Sequence, residues 1–91
     1  MRYVIAYDVS ENARRARVAK LLESVGERVQ GSVFEADLNE KTLSRVQQKL
    51  AKVIDAETDG VRFYRLCGEC AREVRIVGQS RVVQPPGVMI V

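Results

Sequence analysis

The 91-residue chain contains no histidine and no tryptophan, and aromatic residues make up 5% of it. The absence of histidine removes the most common general base and metal ligand from its chemistry. The scarcity of aromatic residues argues against a platform on which the bases of a single-stranded nucleic acid could stack. Catalysis or metal binding would therefore depend on carboxylates, cysteines or basic side chains.

Long apolar runs are also missing. None approaches the ~18 residues of a membrane span, and Met1 leads into a strand pattern instead of a signal peptide. Hydrophobic residues at 46% and charged residues at 30% are typical of one globular domain. We therefore expect a cytoplasmic protein without a membrane partner, in a compartment where thiols stay reduced.

Hydrophobic periodicity predicts an α+β fold. A first segment that is apolar on both faces indicates a central strand, and helical spacing of apolar residues indicates two helices. We expect Asn39 to cap the second helix and Gly26 to end the first in a left-handed conformation. In chain order the predicted segments are strand 3–9, a helix with apolar residues at 18, 21, 22 and 25, strand 28–35, a helix through 43–54, strand 61–66 and a strand at 73–77.

With one further short strand, this order matches a ferredoxin-like βαββαβ sandwich, in which two helices cover one face of an antiparallel sheet. The second sheet face of so small a chain also needs cover, which predicts a two-fold homodimer. We expect residues 1–78 to form the domain. Residues 79–91 end in the apolar run Val88–Val91 and are expected to form a tail exchanged with, or packed on, the partner subunit.

Asp8 stands near the end of the otherwise apolar first strand. A carboxylate buried there is unfavourable unless it is paired or binds a metal, which predicts a catalytic Mg²⁺ ligand next to a phosphate. Two copies of Asp8 across a dimer axis would supply the one or two carboxylates that Mg²⁺ commonly takes. Such a metal would activate water for phosphodiester hydrolysis. The alternative is that Asp8 caps a helix or forms a turn.

Arg14, Arg15 and Arg17 crowd the start of the first helix, where cations oppose the helix dipole. Their presence there indicates a bound anion, and the backbone amides of a helix start also favour phosphate. Arg28 and Lys20 extend this patch toward an RNA or DNA backbone. Eleven of the fifteen basic residues are arginine, whose planar fork suits phosphate oxygens, although codon usage in a GC-rich genome explains the ratio equally well. The alternative is a solvated helix face.

Cys67 and Cys70 are the two cysteines and form a single CxxC motif. Zinc needs four ligands, and neither a histidine nor a second such motif exists to complete a site within one chain. The motif follows a predicted strand, as redox motifs do. Zinc shared between subunits, redox chemistry and a structural or incidental pair therefore remain as alternatives.

Several segments also carry a resemblance through their order and spacing. They are Tyr7-Asp8-Val9, Arg14-Arg15, Arg17-Val18-Ala19-Lys20, Gly26-Glu27-Arg28-Val29-Gln30, Ser32-Val33-Phe34-Glu35-Ala36-Asp37-Leu38, and Val61-Arg62-Phe63-Tyr64-Arg65-Leu66-Cys67 with Cys70. Over roughly residues 1–78 they resemble the CRISPR-associated protein 2 family.

The resemblance implies a ferredoxin-like homodimer whose Asp8 binds a divalent metal. It implies a metal-dependent nuclease acting on RNA or duplex DNA, and a role in spacer acquisition as the bridge between integrase dimers. The positions that match family residues tied to activity are Tyr7, Asp8, Arg15, Arg17, Arg28 and Phe34, with Tyr7 and Phe34 in supporting roles.

The chain departs from the family pattern at two places. Ser10-Glu11-Asn12 replaces an acidic pair common after the first strand, and Gly31 replaces a common large aromatic residue. The main hypothesis is a Mg²⁺-dependent endonuclease of spacer acquisition. The alternatives are a non-catalytic DNA-binding scaffold of the same fold and a ferredoxin-like regulator that binds a small molecule.

Overall fold

The computed structural model describes residues 1–78 and 89–90, and it has the predicted α+β architecture. The helices and strands follow one another as β1 Arg2–Asp8, α1 Asn12–Glu23, β2 Glu27–Gln30, β3 Val33–Asp37, α2 Glu40–Val53, β4 Gly60–Leu66, α3 Gly68–Arg72, β5 Arg75–Ile76 and β6 Met89–Ile90.

The first four strands form an antiparallel sheet in the order β2-β3-β1-β4. This is the strand order of a βαββαβ sandwich, so the predicted ferredoxin-like fold is confirmed. β1 lies at the centre, where Ile5 is opposite Phe34 on one side and Phe63 on the other. Since Asp8 is opposite Gly60, the end of β1 and the start of β4 lie at the same edge of the sheet.

Burial alternates along β1, because successive side chains of a strand point to opposite faces. Tyr3, Ile5 and Tyr7 are buried, whereas Val4 and Ala6 on the other face are half-buried. The core cluster on the Ile5 side includes residues from both long helices, namely Val18, Ala19, Leu22, Val46 and Leu50. The two long helices therefore cover one face of the sheet. In the described part of the chain, neither of them covers the face that carries Val4 and Ala6, called the open face below.

The segment 28–35, predicted as one strand, is in fact two strands of a hairpin. β2 and β3 pair in antiparallel fashion, with an irregularity in the register between Arg28 and Gln30. The turn contains Gly31, whose φ of 24° lies in the left-handed region that glycine tolerates best. The position where the family pattern has an aromatic residue is thus a tight turn here. Because the predicted single strand is in fact a hairpin, it supplies the additional short strand that the fold requires.

Gly26 does not end α1 in a left-handed conformation, so that prediction was wrong. α1 ends at Glu23, and the cap residue Ser24 is right-handed. Gly26 is instead a point of close approach, because a Cβ atom there would lie 2.7 Å from the Cβ of Ala36 on β3. The predicted cap at Asn39 is confirmed, since its side chain accepts a 2.8 Å hydrogen bond from the amide of Thr42.

After β4, the chain forms the short helix α3, which periodicity did not predict. The strand expected at 73–77 is only the two-residue β5, which pairs in parallel with β6 of the same chain. Apart from Met89–Ile90, the predicted tail 79–91 lies outside the described residues, so its exchange with a partner stays a prediction. No helix among the described residues is long and apolar enough to cross a membrane.

Candidate functional site

Asp8 is the last residue of β1, and its side chain is exposed at the edge of the sheet. The premise of a buried carboxylate was therefore wrong. Within residues 1–78 and 89–90, this carboxylate has no hydrogen bond or ion pair, so its oxygens are free to bind a ligand. It does not cap α1 either, because that role belongs to Glu11, whose Oε1 accepts a 2.9 Å hydrogen bond from the Arg14 amide.

Three connections meet near Asp8. The amide of Tyr7 donates a 3.0 Å hydrogen bond to the carbonyl of Ser32, which ties the β2–β3 turn to the end of β1. Gly60 begins β4 directly opposite Asp8, and α1 starts four residues further along the chain. Asp8 therefore lies beside the hairpin turn, the start of β4 and the start of α1, and the β1–β4 pairing holds its backbone in place.

An exposed carboxylate with free oxygens suits a hard divalent cation such as Mg²⁺, which prefers oxygen ligands and keeps several waters. One protomer supplies little more than this one group. Among the described residues, no three histidine, cysteine, aspartate or glutamate side chains come close enough to form a metal cluster. The donor chemistry thus fits Mg²⁺ only with waters, a substrate phosphate or a second copy of Asp8 completing the shell.

Asp59 is the residue at this edge that the sequence analysis missed. It directly precedes β4, and its side chain is fully buried. Its Oδ2 accepts a 2.9 Å hydrogen bond from Arg14 Nε and another of 2.9 Å from the Asp55 amide, and its Oδ1 accepts one of 3.1 Å from the Ser10 amide. The hydroxyls of Ser10 and Thr58 donate to Oδ1 as well.

These contacts lower the pKa of Asp59 well below its ordinary value of 3.8, chiefly through the hydrogen bond from Arg14 and then through the Asp55 amide. The same hydrogen bond raises the pKa of Arg14. Asp59 therefore remains ionised and joins three segments: the loop before β4, the loop after β1, and α1. An acidic residue just before a strand was visible in the sequence, but its partner lies 45 positions away and only the fold brings them together.

The three predicted phosphate-binding arginines of α1 have different surroundings. Arg14 is held by Asp59, with Glu11 Oε1 3.6 Å from its Nη1. Arg15 is exposed, but its Nε donates a 3.1 Å hydrogen bond to the Val9 carbonyl and its Nη1 a 2.6 Å bond to Asn12 Oδ1.

Arg17 is exposed, and the described part of the chain offers it no hydrogen bond or ion pair. Of the three arginines it is therefore the one most available to an external anion.

Arg28 and the two predicted supporting residues lie next to one another. The guanidinium carbon of Arg28 lies 5.2 Å from the ring centre of Phe34, a cation–π distance, and its Nη2 lies 3.4 Å from Glu23 Oε1. Phe34 is fully buried, and its ring centre lies 6.1 Å from that of the buried Tyr7. In this structure Tyr7 and Phe34 are buried core residues, and the Phe34 ring is the surface on which the Arg28 guanidinium lies.

A second group of cations lies on α2, outside the predicted site. These side chains are exposed, and none has a hydrogen-bond or ion-pair partner in the described part of the chain. Spacings of four, four and three residues put them on one face of the helix. This α2 stripe consists of Lys41, Arg45, Lys49 and Lys52. The spacing was readable in the sequence, but the stripe becomes a surface only because Val46 and Leu50 turn the opposite face into the core.

The fold and site define a class: a small ferredoxin-like α+β protein with a free carboxylate at a strand end and cations on its helical layer. Residues 1–74 match the sequence model of a protein family described as CRISPR associated protein Cas2. The chain belongs to the CRISPR-associated protein Cas2 family, so the predicted family is confirmed.

Individual relatives agree. The chain is 44% identical over 89 residues to a protein of Synechocystis sp. named CRISPR-associated endoribonuclease Cas2 3, with 98% of this chain and 97% of that protein covered. The crystal structure of Streptococcus pyogenes Cas2 at pH 6.5 superposes with a TM-score of 0.79 at 35% identity, covering 86% of this chain and all (100%) of that one.

A third neighbour is a chain of a structure titled partial Cas6-RT-Cas1--Cas2 complex. Its TM-score is 0.68 at 33% identity, and 78% of each chain is covered. These findings do not favour the alternative of a small-molecule-binding regulator.

Proposed function

We propose that this protein is a metal-dependent endonuclease of the CRISPR adaptation system, which cleaves phosphodiester bonds of RNA or double-stranded DNA during spacer acquisition. The observation that carries the proposal is the free, exposed carboxylate of Asp8 at the end of the central strand. Relatives with 44% and 47% identity are named CRISPR-associated endoribonucleases, which supports the same reaction.

Asp8 would hold the metal, with a second copy of Asp8 from the partner subunit across the two-fold axis. When bound, Mg²⁺ supplies Lewis-acid chemistry and an activated water. The chain contributes the carboxylate charge and its fixed position, because β1 pairs with β4 as far as Asp8 and with β3 as far as Ala6. The chain contains no histidine, the most common general base, so the metal would carry most of the work of activating water.

The basic side chains would bind the phosphate backbone. Arg17 and the α2 stripe are exposed cations without an internal partner in the described part of the chain. They can therefore bind phosphate without first breaking an ion pair within the protein. Arg15 and Arg28 would join them after exchanging part of their internal contacts. Because such contacts involve phosphates and not base edges, binding should be electrostatic and tolerant of sequence.

We further propose that the protein acts as a two-fold homodimer. The open face supports this, because it presents the half-buried Val4, Val33 and Leu66 beside Tyr64, which is 48% exposed. On the same face, Arg2 forms 3.0 Å ion pairs with Glu35 and Asp37. A second copy would cover these apolar side chains together with Glu35, which lies directly opposite Val4 and is already paired with Arg2.

We also propose that the protein binds an integrase. The structural neighbour from a complex that also contains Cas1 supports such an assembly. If cleavage is not used in the cell, the same basic surface would serve a non-catalytic scaffold that bridges integrase dimers.

The deciding experiment is a nuclease assay of the purified protein on RNA and duplex DNA with and without Mg²⁺. Asp8→Asn keeps the shape of the side chain and removes its charge, so cleavage should fall to background. Glu57→Gln is the matched control, because Glu57 is another exposed carboxylate without a side-chain partner in the described residues, and this variant should cleave normally. Equal cleavage by the parent and Asp8→Asn would reject Asp8 as the catalytic ligand, whereas absence of Mg²⁺-dependent cleavage by the parent would leave the non-catalytic scaffold.

A further inference from the structure

The two cysteines share one turn of chain. Cys67 directly follows β4 and is the N-cap of α3, and its Sγ accepts a 3.3 Å hydrogen bond from the amide of Cys70. Both side chains are exposed and both thiols are free. The motif is therefore held with its first sulfur against the backbone of its second cysteine, at the surface.

The other readings of the motif lose support in this geometry. The two cysteines do not serve as packing residues of the core, because both are exposed and neither belongs to the core cluster. Within the described residues no third histidine, cysteine, aspartate or glutamate joins them to form a metal cluster. An N-cap alone does not explain the pair, because serine, threonine, aspartate or asparagine caps a helix at least as well and Cys70 would be unnecessary.

The two thiols also differ from each other. The hydrogen bonds from the backbone and side chain of Cys70 lower the pKa of Cys67, because they stabilise its thiolate. The pKa of Cys70 is raised by its side-chain hydrogen bond to Cys67 and by the charge there. Thiol–disulfide exchange uses this division, in which one thiolate attacks and its neighbour stays protonated until the second step.

We propose that Cys67 and Cys70 are a redox-active dithiol that closes to a reversible internal disulfide by exchange with low-molecular-weight disulfides such as oxidised glutathione. The Cys67 thiolate attacks one sulfur of glutathione disulfide, and the glutathione S–S bond breaks. The mixed disulfide forms, and the departing glutathione thiolate takes a proton from water.

Cys70 then gives its proton to water and attacks the Cys67 sulfur, and the second glutathione leaves as a thiolate that takes a proton from water, which balances the proton released earlier when Cys67 formed its thiolate. In total the cysteine pair loses two electrons and two protons, and glutathione disulfide becomes two molecules of reduced glutathione. Excess reduced glutathione reverses both steps. This chemistry is separate from phosphodiester cleavage, and it stands or falls without nucleic acid or Mg²⁺.

The test equilibrates the full-length protein in buffers with defined ratios of reduced to oxidised glutathione. An alkylating reagent then blocks the remaining free thiols, and mass spectrometry counts the alkyl groups and any bound glutathione. We expect the parent to lose both alkylation sites together without retaining glutathione, and to regain both in reduced glutathione. Cys70→Ser should accumulate a stable glutathione adduct at Cys67. Cys67→Ser should form its adduct at Cys70 at least several-fold more slowly near neutral pH, because the remaining thiol is the more protonated one.

Three results would overturn the proposal. The first is a parent protein that carries glutathione on both cysteines or remains fully alkylated in the most oxidising buffer. The second is an equal rate of adduct formation by Cys70→Ser and Cys67→Ser. The third is purified protein whose thiols are masked by stoichiometric zinc until a chelator is added, since that would assign the pair to a metal shared between subunits.

Discussion

Arg14 and Asp59 are joined by a 2.9 Å hydrogen bond between Nε and Oδ2, although 45 positions separate them in the chain. The bond fastens α1 to the loop that enters β4, next to the strand end that carries Asp8. One of the arginines expected to bind phosphate is thus mainly engaged in organising this edge of the sheet. Its charge is balanced by a buried carboxylate and adds little to an external field.

This pair should make stability depend on pH. The folded pKa of Asp59 is depressed, so its contribution is fully present above the ordinary value of 3.8 and is lost as the pH falls toward the lower folded pKa. Asp59→Asn should lower the melting temperature by several degrees at pH 7, and the difference from the parent should shrink below about pH 4. Thermal unfolding of both proteins from pH 7 to pH 3 measures this. A pH-independent difference would show that the charge of Asp59 is not what stabilises the fold.

Asp8→Asn should behave in the opposite way to Asp59→Asn. Asp8 has no partner in the described residues, so the variant should keep its melting temperature without metal, or gain slightly if two copies of Asp8 repel each other in the dimer. Its affinity for duplex DNA should be equal or higher, because negative charge is removed near the phosphates. Thermal unfolding and filter binding without metal test both statements. A variant that fails to fold would return Asp8 to a structural role.

Nucleic-acid binding should weaken steeply as salt rises, since each phosphate contact releases counterions. Replacing Arg17 and Lys49 with alanine should reduce the slope of log affinity against log salt by about one unit for each lost contact. Arg65→Ala is the matched control, because Arg65 is an exposed arginine on β4 toward the opposite end from Asp8. If the control changes the slope as much as Arg17→Ala does, binding is spread over the surface and is not centred on Arg17 and the α2 stripe.

Gly26→Ala should destabilise the protein by about 1–3 kcal/mol, the usual range for overpacking, because the new methyl group would meet Ala36 on β3. Gly68→Ala provides the comparison, since nothing lies within 4 Å of a Cβ atom at that position. The second variant should keep the parent's stability or gain a little. Denaturant unfolding of both variants distinguishes close packing at position 26 from a general effect of glycine replacement.

Deleting residues 79–91 should weaken the proposed dimer, because the deletion removes the apolar Val88–Val91 and the β6 strand that pairs with β5. Sedimentation equilibrium at micromolar concentration measures the dissociation of the parent and the truncated chain. A full-length protein that sediments as a stable monomer would contradict the homodimer itself. An unchanged dimer after truncation would assign the interface to the open face alone.

The sequence by itself determined the order of the long helices and of the main strands, the Asn39 cap and the acidic residue at the end of β1, but not the exposure of that residue. These features depend on periodicity and on neighbours within a few residues, which a linear pattern records. The sequence also carried the family resemblance, through the order and spacing of segments from Tyr7-Asp8-Val9 to Cys67.

Only the tertiary structure decided which charges are free. Arg14 and Arg17 look alike in the sequence, yet one is bound to Asp59 and the other has no partner in the described residues. The sequence pattern around Gly26 is typical of a helix end, and only the fold shows that this glycine packs closely against Ala36. The reason is physical: a hydrogen bond or a close packing contact depends on distance in space, and distant segments come within reach only when burial of Ile5, Phe34 and Leu22 assembles the sheet and helices around one core.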